Sequence, residues 1–269
     1  MTETAVRRPL VDTHCHLVLL DERGLLHAAL ESAAESGVEQ IVSVGLNLED
    51  SDLNRLMAEA HDNVWFTVGW HPHERHAPDA AQLHALDELL AHPRAVAVGE
   101  IGIDLFFRPG YHDTPLAEQR RAMHAMLDLA AAHAKPVAVH DRDAHEEVLE
   151  VLRSHGQVGG VMHCFSGDEA FARRCVAAGY AISFSGIITF PRSEPQQAAA
   201  RSVGDGDYVV ETDSPFLAPV PHRGRPNLPG YAAATAAAVA ALRGVDPDTV
   251  REQSTATAQR VFGLPGTGP

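Results

Sequence analysis

The chain has 269 residues, 45% of them hydrophobic, and a formal net charge of −15 at pH 7. Its single lysine is Lys135, and so acidic a surface excludes nucleic-acid binding through a broad basic face, though not a substrate held in a small cationic pocket. No run of 18 apolar residues offers a transmembrane helix, Met1–Arg8 lacks an apolar leader, and the three cysteines have no disulfide spacing, so a cytoplasmic monomer without a membrane partner is expected.

Apolar β-rich runs alternate with helical patterns along the whole length. The first strand, Pro9–Thr13, runs into His-Cys-His. Period two puts Asp12, His14 and His16 on one face and Cys15 on the other. A helix over Gly24–Ser36 is stopped by Gly37, and Gln40–Val44 is the second strand. Asn47 or a nearby acidic residue caps a helix over Glu49–His61. Val64–Gly69 is the third strand, followed by Trp-His-Pro-His, and Ala80–Ala91 is helical. Ala95–Val98 is the fourth strand, followed by Gly-Glu-Ile-Gly-Ile-Asp and a longer loop, Leu105–Thr114. Helices over Leu116–His133 and Ala144–Ser154 flank the fifth strand, Pro136–Val139. The sixth strand is Gly160–Met162, the seventh Ala181–Phe184 and the eighth Tyr208–Val210, separated by helices over Asp168–Ala178 and Gln196–Val203. Helices over Ala232–Arg243 and Pro247–Phe262 complete the pattern.

Eight short strands alternating with helices predict one (β/α)₈ barrel over residues 1–269. An open doubly wound sheet fits less well. No Gly-x-Gly-x-x-Gly follows the first strand, and polar residues end six strands instead of gathering at one switch point. Barrel enzymes work at the C-terminal ends of their strands. The polar residues there are His14, His16, His71, His73, Glu100, Asp104, His140, His163 and Asp213. Each alone reads as a loop histidine or a helix cap. Their convergence on one rim predicts a site for Zn²⁺, Mn²⁺ or a similar ion. Cys15 and Cys164, of opposite parity to their histidine neighbours, are expected in the packing layer outside the barrel.

The chain resembles TatD-type metal-dependent hydrolases, a branch of the amidohydrolase-like barrels. The motifs are Val-Asp-Thr-His-Cys-His at 11–16, Gly-Trp-His-Pro-His at 69–73, Gly-Glu-Ile-Gly-Ile-Asp at 99–104 and Pro-Val-Ala-Val-His-Asp-Arg-Asp-Ala at 136–144. His-Cys-Phe-Ser-Gly at 163–167, Glu-Thr-Asp-Ser-Pro at 211–215 and Pro-His-Arg-Gly-Arg-Pro-Asn at 221–227 continue the order. The resemblance implies two divalent ions (Mg²⁺, Mn²⁺ or Zn²⁺), one on His14, His16, Glu100 and Asp213 and one on Glu100, His140 and His163, with Glu100 bridging. Lys135 precedes the fifth strand, at its wrong end for a bridging carbamate. The resemblance also implies a deoxyribonuclease releasing nucleotides from the 3′ end of single-stranded DNA through a metal-activated water. Asp213 then serves as general base or water-orienting group, with Glu100 as its catalytic partner.

Phosphate donors are expected in His71, Arg223 and Arg225, because a guanidinium donates two parallel bonds to phosphate. His73, Asp104, Arg142 and Glu211 are expected to brace the ligands, although Arg142 also reads as a substrate contact and Glu211 reads equally well as a carboxylate paired inside the barrel. Phe106 and Phe107 offer either base stacking or packing over the rim. The loop after strand eight departs from the family pattern. It reads Arg-Pro-Asn-Leu-Pro-Gly-Tyr where Asn-Glu-Pro-Ala-Tyr is usual, with Leu228 in place of a glutamate and Gly230 in place of an alanine. The same barrel serves many reactions, so a small-nucleotide phosphoesterase or a deacylase or amidase is the alternative.

Overall fold

The computed structural model describes residues 8–108 and 110–267; Met1–Arg7, most of the stretch read as lacking a leader, lies outside them. Eight parallel strands follow one another in chain order around a barrel: β1 (Leu10–Cys15), β2 (Val38–Ser43), β3 (Val64–Val68), β4 (Ala95–Asp104), β5 (Val137–Arg142), β6 (Gly160–Met162), β7 (Tyr180–Phe184) and β8 (Tyr208–Val210). Helices α1 (Leu17–Glu22), α2 (Leu26–Ser36), α3 (Leu48–Ala60), α4 (Ala80–Leu90) and α5 (Leu116–Ala132) alternate with them. The rest are α6 (His145–Ser154), α7 (Glu169–Ala177), α8 (Glu194–Ser202), α9 (Ala232–Arg243) and α10 (Pro247–Phe262). This is the (β/α)₈ barrel that the alternation predicts.

Local chemistry sets the helix ends. The Asn47 side chain accepts the Asp50 N–H, and Asp79 forms a reciprocal capping box with Gln82. Gly37 and Gly244 end α2 and α9 in the left-handed conformation. A large apolar cluster joins strand residues such as Ile41, Phe66 and Ile101 to helix residues such as Leu86, Met123 and Leu149, and Cys15 is buried within it. A smaller cluster gathers Val11, Val42, Val161 and Val209 around Phe262 and Leu264.

Three differences from the sequence reading matter for the site. The predicted helix over 24–36 is α2, and an unpredicted helix, α1, precedes it, because the apolar run Leu17–Leu20 folds at once after β1. Strand β5 runs on to Arg142 and β4 to Asp104, so Glu100 sits within a strand and not beyond one. Gly102 permits this close pairing, since a Cβ there would lie 1.9 Å from the His140 carbonyl oxygen. Between β8 and β1 the barrel is zipped by backbone bonds from Asp213 N–H to His14 O (2.9 Å) and from His16 N–H to Ser214 O (2.8 Å). Those two bonds set Asp213 beside both histidines of the first strand. Among the described residues no helix is long and apolar enough to cross a membrane.

Candidate active site

Glu100 is buried at the centre of the rim. Its Oε1 lies 2.7 Å from His140 Nδ1, 3.5 Å from His71 Nε2 and 3.6 Å from His163 Nε2, and its Oε2 lies 3.4 Å from His14 Nε2. Asp213 Oδ1 is 3.2 Å from His16 Nε2 and 4.0 Å from His163 Nε2. All six residues expected as metal ligands therefore surround one point of the barrel mouth. Their ligand atoms fall into tight groups: His14, His16 and Asp213; His71, Glu100 and His140; His14, His163 and Glu211. His71, expected only as a phosphate donor, thus stands within reach of the same point as Glu100 and His140.

The electrostatics suit a cation. Burial alone would raise the Glu100 carboxyl, but the surrounding imidazoles, His71 and His163 first, hold it well below the usual range. Asp213 is held down in the same way by His16 and His163, against its burial. The carboxylates act back on the rings. Burial opposes protonation of His140 and His163, yet Asp104 and Glu100 pull His140 up to about 9, and Glu211 and Glu100 pull His163 up to about 10. His14 moves the other way, lowered by burial and by His163, whose ring stacks on it at 3.4 Å. Both nitrogens of His14 and Nδ1 of His16 are buried without a hydrogen-bond partner among the described residues. Buried polar atoms of native proteins are almost always satisfied. A donor set of imidazoles and carboxylates with orphaned nitrogens is what divalent ions fill, and these residues fit the two ions that the resemblance implies.

Neighbouring residues hold these candidate ligands in place. Glu211, fully buried, accepts from the Cys164 N–H (2.9 Å) and from the Ser183 hydroxyl, and its Oε1 lies 2.9 Å from His163 Nδ1. Asp12 accepts from the Thr212 N–H (2.9 Å) and hydroxyl (2.6 Å), and that hydroxyl accepts from the Ser214 N–H (3.1 Å). The turn bearing Asp213, whose φ is +58°, is fixed by this chain of bonds. Asp104 Oδ2 lies 2.8 Å from His73 Nε2 and 3.3 Å from His140 Nε2. The Arg142 guanidinium stacks on Phe106 at 3.9 Å and donates to the Tyr111 hydroxyl (2.9 Å).

The arginines of the last loop are not with these groups. Arg223 stacks on Phe190 at 3.9 Å and donates to the Ala218 carbonyl (3.4 Å), and Arg225 is exposed. The anchor of that loop is the buried Asn227, which donates to the Thr212 (2.7 Å) and Phe216 (2.6 Å) carbonyls. Gly230 sits against α2, where a Cβ would lie 2.2 Å from the Ser32 carbonyl oxygen; the usual alanine does not fit here. Cys164 overturns its parity expectation. It lies beyond the end of β6 at φ +43°, which turns its thiol back toward the site, 3.2 Å from the Ser185 hydroxyl and grouped with His163 and Asp213.

Sequence reasoning missed Phe216, 44% exposed beside His16, and the buried ring of His112, which sits in the irregular loop after β4. The Asp-Ser-Pro turn was a signal for Phe216, because the next residue must project over the mouth. The loop of His112 has no periodicity to reveal its direction. Four guanidiniums stack on phenyl rings around this face: Arg23 on Phe216, Arg108 and Arg142 on Phe106, and Arg223 on Phe190. A groove of about 710 Å³ outside the mouth, between Asn47, Trp70 and Leu89, is lined by Glu49, Asp52, Glu74 and Glu88 and suits no polyanion.

Residues 11–263 match the family model described as TatD related DNase. The chain is 39% identical over 261 residues to a Mycobacterium tuberculosis protein named uncharacterized metal-dependent hydrolase TatD, covering 95% of this chain and 98% of that one. It is 32% identical over 243 residues to the Klebsiella pneumoniae 3′-5′ ssDNA/RNA exonuclease TatD, covering 88% and 91%. The crystal structure of the TatD homologue YjjV from Escherichia coli superposes with a TM-score of 0.88 at 30% identity, covering 95% of this chain and 98% of that one. Motifs, barrel and comparisons agree that the chain belongs to the TatD family of metal-dependent hydrolases.

Proposed function

We propose that this chain is a cytoplasmic, monomeric deoxyribonuclease that needs divalent metal and removes nucleotides from the 3′ end of single-stranded DNA. The observation that carries the reading is Glu100, set within 3.6 Å of four imidazoles, one of which, His163, also lies 4.0 Å from Asp213. His14, His16 and Asp213 would hold one ion, His140 and His163 a second, and Glu100 would touch both. Bound there, two divalent ions (Mg²⁺, Mn²⁺ or Zn²⁺) supply a water of lowered pKa and positive charge for the phosphoryl oxygens.

The chain's own groups do the rest. Asp213 is ionised at neutral pH and takes the proton of the attacking water. His71 Nδ1 accepts the His73 backbone N–H at 3.2 Å, which leaves its proton on Nε2 at the mouth. Burial lowers this ring to about 4, so it meets a phosphate oxygen as a neutral donor. The arginine–phenylalanine pairs give single-stranded bases flat partners and their phosphates local positive charge, on a molecule whose net charge repels duplex DNA. Arg223 and Arg225 contact the strand from the rim.

The name of the Klebsiella relative supports the 3′-to-5′ direction and adds single-stranded RNA as an assay substrate. The test is incubation with 5′-labelled single-stranded DNA, single-stranded RNA and duplex DNA under Mg²⁺, Mn²⁺ or Zn²⁺. A ladder shortening from the 3′ end of the single strands is expected. No nucleotide release with any of these ions refutes the proposal.

A further inference from the structure

A second polar cluster lies on the β4 side of the rim, made by His73, Asp104 and His112. His112 belongs to the loop after β4, held by an antiparallel bridge to Arg108. Its ring is 2% exposed, and neither ring nitrogen has a hydrogen-bond partner among the described residues. Nε2 lies 3.6 Å from Asp104 Oδ1, while His73 Nε2 lies 2.8 Å from the other oxygen of the same carboxylate. The two imidazoles stack at 4.1 Å and 14°, so both turn the same edge to Asp104. The three ligand atoms lie within 4.8 Å of one another.

We propose that His73, Asp104 and His112 hold a third divalent ion, separate from the two-ion centre. Two imidazoles and one carboxylate with open positions favour nitrogen-preferring ions such as Zn²⁺, Co²⁺ or Fe²⁺. Mg²⁺ is a poor fit because it prefers oxygen ligands and keeps its waters. The site shares no ligand with the centre around Glu100 but touches it through one ring. Asp104 Oδ2 lies 3.3 Å from His140 Nε2, and His140 Nδ1 lies 2.7 Å from Glu100. Tyr111 closes the outer side, its hydroxyl 3.4 Å from Asp104 Oδ2 and itself held by Arg142. The absence of any hydrogen bond to either nitrogen of His112 among the described residues distinguishes this reading from a plain bracing role for Asp104. Bracing His140 needs only His73 and Asp104, and it leaves a buried imidazole with nothing to do.

The probe is Co²⁺, titrated into metal-free protein, with bound metal counted by equilibrium dialysis and mass spectrometry. His112→Phe keeps the ring stacked on His73 and Phe107 and removes both nitrogens. It is expected to bind one Co²⁺ fewer per chain than the wild type, and equal counts overturn the proposal. The difference of one ion, and not the absolute count, carries the result, so it stays legible if the two-ion reading of the main centre fails. Wild-type crystals soaked in Co²⁺ give a second measurement that needs no variant. An anomalous peak is expected about 2.1 Å from His112 Nε2, and no peak there also overturns the site.

Discussion

Glu211 makes the sharpest test of how the barrel interior holds the metal centre. Two replacements separate its charge from its hydrogen bonds. Glu211→Ala removes the acceptor of the Cys164 N–H and the Ser183 hydroxyl, and the partner of His163 Nδ1. Each buried group left unpaired costs about 1–3 kcal/mol, so the variant loses on the order of 4 kcal/mol. That is a large part of a typical stability of about 5–15 kcal/mol, and the midpoint of thermal unfolding falls by about 10 °C. Glu211→Gln keeps an oxygen facing both Cys164 and His163, and the Ser183 hydroxyl can rotate to accept from the new amide. Its stability cost is about 1 kcal/mol.

Metal binding reads differently. A carboxylate opposite the free nitrogen of a ligand histidine fixes the ring and raises its basicity, and losing it typically costs about 10–100-fold in affinity. Glu211→Gln is therefore expected to fold almost normally and bind metal about 10–100-fold more weakly. The assay pairs urea unfolding of metal-free protein with chelator-competition titration of Zn²⁺. Wild-type metal affinity in Glu211→Gln refutes the reasoning, because Glu211 would then be a structural carboxylate only. Unchanged stability in Glu211→Ala refutes the hydrogen-bond part independently.

Three further outcomes follow from the geometry. In metal-free protein His140 is raised to about 9 and His163 to about 10, so both rings carry protons at neutral pH that a bound ion must displace. Metal affinity should rise with pH up to that range and fall in acid, with roughly one or two protons released per chain on loading; calorimetry in buffers of different ionisation enthalpy counts them, and no proton release contradicts the ligand set. Phe216→Ala is expected to raise KM for single-stranded oligonucleotides about tenfold with kcat little changed, since one stacked base is worth about 1–3 kcal/mol; an unchanged KM removes the ring from the binding surface. Gly230→Ala forces a Cβ onto the Ser32 carbonyl and should cost about 1–3 kcal/mol in urea unfolding, whereas a neutral effect would show that α2 yields freely.

What was legible in the sequence follows from which residues had a fixed direction. The strands of the barrel set side chains alternately, and the fold requires their C-terminal ends to face one mouth. His14, His140, His163 and Asp213 could therefore be gathered from spacing alone, although β4 carries its pattern further than its apolar run suggested. Outside regular structure the same rule misleads. Cys164 sits one residue past a ligand histidine, but a left-handed residue reverses its direction and no parity argument survives that turn. Arg223 and Arg225 were chosen for their chemistry on a loop whose path follows tertiary contacts, among them the Asn227 bonds to the Thr212 and Phe216 carbonyls and the seating of Gly230 on Ser32. His112 was invisible for the same reason. Its loop has no period, and it reaches Asp104 only because Gln119 of α5 donates to the Asp104 and Thr114 carbonyls and so draws the two ends of that loop together. The convergence of the residues expected as ligands was readable because secondary structure aims them; the loop residues expected to meet substrate, and the third cation site we propose, sit where tertiary contacts do the aiming.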